Sequence, residues 1–253
     1  MIYKIRYMIL PILIMGVFVL FTSGCEKEEQ EDPPIDNNGG NGNEVTKVTD
    51  VDGNEYRTVK MGELEWMAEN LRTKTYSNGD SIQFLGWGEW EGQDSEAYTL
   101  CPPDYFDDLE TDENVFLAIG LHYNWYAVDD DRNICPDGWR VPTQDDWTAL
   151  ILFISPNADV SEHDIVIDKW EFDYVNYSFE NKGGMIDSWG SFLHTYNSTY
   201  WTSTEDETNI NTARMFEIWE DNEDEENKKF VLMRSNQPKK FGLSVRCVKD
   251  VNP

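Results

Sequence analysis

Residues 135–150 read CPDGWRVPTQDDWTAL, and no other stretch of the chain restricts its fold as much. Pro136-Asp137-Gly138 is a turn signal, because proline presets one backbone angle and glycine admits the other. Trp139 is an expected core anchor. After Pro142, Thr143 is a helix N-cap, and Asp146 stands three residues on, where a capping-box acid reaches back. Trp147, Leu150, Ile151 and Ile154 then recur at i, i+3, i+4 and i+7, which predicts one buried helical stripe. Pro156-Asn157 ends it. Asp145 and Asp146 fall in the first turn, where the helix dipole is sufficient reason for both acids. The segment reads as scaffold, not as a catalytic carboxylate pair.

Strand signals surround it. Asp52-Gly53-Asn54 marks a turn, Tyr56, Thr58 and Val59 suit a strand, and Met61-Gly62-Glu63 is a second bend. Leu64-Glu65-Trp66-Met67 alternates, with Leu64 and Trp66 facing the core. Asp50-Val51-Asp52-Gly53 has the look of a calcium loop. It lacks the further ligands and closing glutamate of an EF-hand, so a plain hairpin turn is expected. Tyr123, Trp125 and Ala127 alternate with polar or outward positions before Asp129-Asp130-Asp131 turns the chain. The C-terminal third predicts strands at 200–205, 213–220, 228–235 and 241–250.

Between Thr73 and Phe116 no period is sustained, and loops of this length in a domain are usually functional or mobile. Within it, FLGWGEWEGQ sets Trp87 and Trp90 among glycines. Two readings stand: a stacking platform for the apolar face of a sugar, or a lid folded back on the core. Trp87 and Trp90 are the candidate ligand-binding residues.

The first 24 residues predict a cleaved export signal, with Lys4 and Arg6 before an apolar run. Thr22-Ser23-Gly24-Cys25 resembles the lipobox of bacterial lipoproteins, which implies diacylation of Cys25 and an anchored, non-spanning protein. Residues 25–44 are acidic and rich in Asn and Gly, and predict a flexible stalk. Lys27-Glu28-Glu29 resembles the lysine-plus-acids signal that places lipoproteins on the outer face of the outer membrane. Residues 45–253 then form one domain.

Formal charge is −29, and losing Lys4 and Arg6 with the signal makes it −31. So acidic a surface repels nucleic acid and anionic headgroups and suits cations or neutral glycans. Ten tryptophans, twelve tyrosines and twelve phenylalanines give that shell an aromatic core. Glu220 to Glu226 is a dense acidic turn that could recruit Ca²⁺; no other cofactor is expected, and no metal site is assigned. With Cys25 lipidated, three of the four cysteines remain. A Cys135–Cys247 bridge is expected, because Cys101 lies in a polar, Pro-rich insertion. The chain has no CxxC, GxSxG, HExxH or phosphate-binding glycine loop. His122, His163 and His194 stand in no recognisable motif, so no catalytic residue is assigned.

Five segments carry a resemblance when taken in order: DVDGNEYRTVKMGELEWMAENLRT, LHYNWYAV, CPDGWRVPTQDDWTAL, YWTSTE and GLSVRCVKD. Together they resemble the Fibrobacter succinogenes major paralogous domain (FISUMP) family of bacterial surface and secreted proteins. WRVPTQDDW and the terminal VRC also resemble formylglycine-generating, sulfatase-modifying proteins. Both resemblances imply an α+β, C-type lectin-like fold, with twisted antiparallel sheets, few helices and long loops. Cys135 and Cys247 match the family's structural positions. The sulfatase-modifying activity needs a redox cysteine pair, and Cys101 has no neighbouring partner, so that activity is not implied. The Glu-Pro-Asn and Trp-Asn-Asp motifs of calcium-dependent lectins are absent as well. The expectation is a non-enzymatic, lipid-anchored binding module at the cell surface, for a polysaccharide or a surface protein. The alternatives are a carbohydrate hydrolase using acidic residues, or a purely structural envelope component.

Overall fold

A computed structural model of the chain describes residues 46–86, 89–91, 94–100, 119–168, 183–193, 197–221 and 229–251. All of them belong to one unit, 39–253. Its strands are β1 (Thr46–Thr49), β2 (Glu55–Met61), β3 (Leu64–Met67), β4 (Gln83–Phe84), β5 (Ala97–Leu100) and β6 (Leu121–Tyr123). Helices α1 (Trp125–Val128) and α2 (Gln144–Ile154) follow. The remaining strands are β7 (Asp164–Asp168), β8 (Met185–Ile186), β9 (Phe192–Leu193), β10 (Ser198–Glu205), β11 (Thr212–Asp221), β12 (Lys229–Pro238) and β13 (Val248–Asp250). Pairing is antiparallel throughout except between β4 and β5. Among the described residues no helix is long and apolar enough to cross a membrane.

The first sheet runs β1-β2-β3-β13, so strands from the two ends of the domain share it. Asp50 sets the first turn: its carboxylate accepts the backbone N–H groups of Asp52 and Asn54, the Asn54 amide and the Tyr56 hydroxyl. Gly53, at φ +87°, completes the bend. This is the hairpin turn expected, with four hydrogen bonds converging on the Asp50 carboxylate. Val248 then lies opposite Trp66, and Asp250 opposite Leu64.

A second sheet runs β10-β11-β12-β7, and α2 packs between it and the first. Thr143 caps the helix: its hydroxyl accepts the Asp146 N–H, and the Asp146 carboxylate accepts the Thr143 N–H. Trp147, Leu150 and Ile151 are buried and Ile154 is partly buried, so the stripe lies where its spacing puts it. Trp147 stacks on Phe216 at 5.3 Å and tilts onto Tyr200 at 5.1 Å.

A second core cluster joins Tyr56, Met67, Trp125, Trp139, Trp201 and Leu243 around the Cys135–Cys247 disulfide. Here the structure modifies two expectations. Trp125 and Ala127 belong to a helical turn, because the Asn124 side chain accepts the Ala127 N–H and starts α1 instead of letting the strand run on. Of residues 241–250 only Val248–Asp250 is strand; Gly242, Leu243 and Ser244 each make isolated bridges to different elements.

Candidate functional site

Several expected site residues are placed by the structure. Cys135 and Cys247 are bonded to each other, with Cα atoms 5.9 Å apart and a sequence separation of 112. Cys25, Cys101 and Trp87 lie outside the described residues, as does most of the acidic turn, from 222 onward.

Trp90 requires a correction. Its side chain is only 1% exposed, and its indole N–H donates to the Lys240 carbonyl at 2.9 Å. The ring edge lies so close to Gly242 that a Cβ there would approach it to 3.0 Å. Leu85, Ala97, Ile119, Ile186 and Phe192 complete the cluster around it. Burial of so large a ring with its one donor satisfied outweighs the pull of the surrounding glycines toward an open loop. No face of Trp90 is left for a sugar.

Among the described residues, the tryptophan most open to solvent is Trp189, at 70% exposed. It sits at the tip of the β8–β9 hairpin, in Asp187-Ser188-Trp189-Gly190-Ser191. The Asp187 carboxylate accepts the backbone N–H groups of Trp189 and Ser191 at 2.9 and 2.8 Å. Gly190 takes φ +82° and donates its N–H to the Asp187 carbonyl. The hairpin is fixed at its base, where Ile186 pairs with Gly242 and both Ile186 and Phe192 enter the Trp90 cluster. Buried Trp90 thus helps hold up the hairpin that presents Trp189. The sequence signal was an Asp and a Gly bracketing an aromatic residue, an Asx-turn pattern.

The titratable groups are occupied by the fold. His122 is fully buried and its Nε2–H donates to the Gly183 carbonyl at 2.7 Å. Burial pushes its pKa down to about 4, so the ring is neutral at physiological pH. His163 is exposed and pairs with Asp164. Among the described residues, neither is hydrogen-bonded to a serine or cysteine. Asp146 is engaged by Arg140 and Thr143; burial alone would raise its pKa, but those donors hold it below the ordinary carboxylate value. Asp206 accepts from the Thr208 hydroxyl and N–H, the Thr212 hydroxyl and the Asn236 amide. The threonine hydroxyls bring its pKa down to about 2. Among the described residues no three or more His, Cys, Asp or Glu side chains are grouped to hold a metal ion.

A cleft of about 230 Å³ lies beside the first turn, where Thr49, Asp50, Thr73, Thr75 and Ser77 face apolar Val51, Ile134 and Pro136. Three of its polar side chains are engaged within the fold: Thr73 donates to the Thr75 carbonyl, Ser77 to the Arg132 carbonyl, and Asp50 holds its own turn. Trp189 is the most exposed aromatic ring among the described residues.

Comparison with known proteins gives one match. The family model of the Fibrobacter succinogenes major domain covers residues 59–249, from the middle of β2 into β13. No curated protein and no solved structure matches the chain. Both cysteines of the disulfide, the capped helix, both four-stranded sheets and the Trp189 hairpin fall inside or across that span, and the chain belongs to the Fibrobacter succinogenes major domain family.

Proposed function

We propose that this chain is a non-enzymatic, lipid-anchored binding module of the cell envelope, tethered to the outer membrane through Cys25, displayed at the cell surface, and binding a neutral glycan at Trp189. One observation carries the reading: a large indole held in solvent by a turn whose backbone is fixed on both sides. Trp is rarely left so open, and a rigid ring loses little entropy when a pyranose stacks on it. The formal charge of −29 favours a neutral ligand over an anionic one.

A C-type lectin-like fold belongs to the same proposal. It is supported by strands from both ends of the domain sharing one sheet, and by a capped helix between two antiparallel sheets. Thr22-Ser23-Gly24-Cys25 and the acidic segment after it support the anchor.

Polysaccharide pull-down and a glycan array, run on wild type and Trp189→Ala, test the ligand. The substitution should weaken retention at least about tenfold without changing the melting temperature. A wild type that retains no glycan, or a variant that retains it equally, removes the glycan reading. For the anchor, Cys25→Ser should lose incorporation of a labelled fatty acid and leave the membrane fraction. Persistent label would remove that part.

A further inference from the structure

A second surface lies where the β2–β3 turn meets α2. There a cleft of about 450 Å³ has an apolar floor of Met61, Leu64, Trp66 and Leu150. That volume is within the usual range for ligand sites. Three acids, Glu63, Asp146 and Asp250, stand around the floor. Asp146 is taken by the helix cap and by Arg140. Asp250 accepts only one Arg140 hydrogen bond, at 3.2 Å, and its side chain is 57% exposed. The Glu63 carboxylate makes no hydrogen bond or ion pair among the described residues. The two are neighbours across the sheet, since Asp250 lies opposite Leu64 and the Val251 N–H donates to the Glu63 carbonyl. The cleft thus pairs a greasy floor with two carboxylates whose lone pairs are largely unused.

The apolar surface does not stop at the cleft. A Cβ on Gly62 would lie 3.7 Å from the Phe153 ring, so Phe153 borders the same turn. Phe153 is 45% exposed, and its neighbour Leu152 is 38% exposed.

We propose that this cleft receives a lysine or arginine side chain of a partner polypeptide, with an apolar neighbour of that residue resting on Phe153. The methylene stem of such a side chain suits the floor while its charged head reaches Glu63 and Asp250. A free small amine would leave Phe153 uncovered; a polypeptide covers it. The acidic rim selects a cation and rejects acidic segments by repulsion. This surface is distinct from the Trp189 hairpin and stands without the glycan reading.

The test titrates the full-length protein with N-acetyl-Phe-Lys-amide and with N-acetyl-Phe-norleucine-amide, which keeps the stem and lacks the charge. Amide NMR signals of Gly62, Glu63 and Ala149 report the binding. The lysine peptide should bind about fivefold more tightly, the scale of one or two rim ion pairs, and lose that advantage in added salt. Glu63→Gln with Asp250→Asn should bring the two peptides to equal affinity. Ala149→Phe fills the cleft from an exposed helix position and should weaken both, with melting temperatures confirming that each variant is folded. Equal affinity of the two peptides for wild type overturns the proposal. So does the absence of shifts at these three residues at about 10 mM lysine peptide.

Discussion

Trp147 meets Trp66 edge to face, with ring centroids 5.0 Å apart and planes inclined at 65°. One ring belongs to α2 and the other to β3, so this contact seats the helix on the sheet that holds both ends of the domain. Phe216 and Tyr200 bring the second sheet into the same aromatic group. Replacing Trp147 with Ala should therefore cost about 3–5 kcal/mol, since it removes contacts to three elements at once. Urea unfolding monitored by circular dichroism measures it. A loss below about 1 kcal/mol would mean that the helix is not seated this way.

The disulfide closes a loop of 112 residues between two buried cysteines. In the chain-entropy model, reduction should cost about 4–5 kcal/mol. The urea midpoint with and without reductant measures the effect, and Cys247→Ser should reproduce it. An unchanged midpoint after verified reduction would refute it.

His122 should make the fold sensitive to mild acid. Its folded pKa, about 4, is below the ordinary value of 6.5. Between these two values the unfolded chain binds a proton that the folded chain refuses, so stability falls as pH drops from about 6.5 to about 4. The full effect is on the order of 3 kcal/mol. A His122→Gln variant should show a flatter stability profile across that window. Parallel profiles for the two proteins would exclude the assignment.

Asp206 acts at lower pH. Its folded pKa of about 2 lies below the ordinary 3.8, so its contribution is complete above the unfolded value and disappears as pH falls toward 2. Asp206→Asn should be less stable than wild type at pH 7, and the gap should narrow toward pH 2. A gap that does not change with pH would show that ionisation of Asp206 plays no part.

Local signals read well from the sequence where neighbours in the chain decide the outcome. Thr143 and Asp146 are three residues apart, and both halves of their capping box are present. The expected strands at 200–205 and 213–220 fall within Ser198–Glu205 and Thr212–Asp221. The strand expected at 228–235 is Lys229–Pro238. Trp90 was decided by a partner 150 residues away, Lys240, which no local pattern announces. The same long-range packing exposes Trp189: its hairpin is anchored by Gly242, so the tip must project. Glycine stands close to both tryptophans in the chain, and only tertiary contacts separate the buried ring from the open one.

Placing β13 beside β3 also sets an order of events. Emerging from the ribosome, the chain presents β1, β2 and β3 early, but their sheet lacks its fourth strand until Val248–Asp250 arrives. The second half of the disulfide, Cys247, arrives at the same moment. The domain cannot lock from its leading end before its trailing end is present. A chain built this way closes only when the fourth strand of its first sheet and the second disulfide cysteine are both in place.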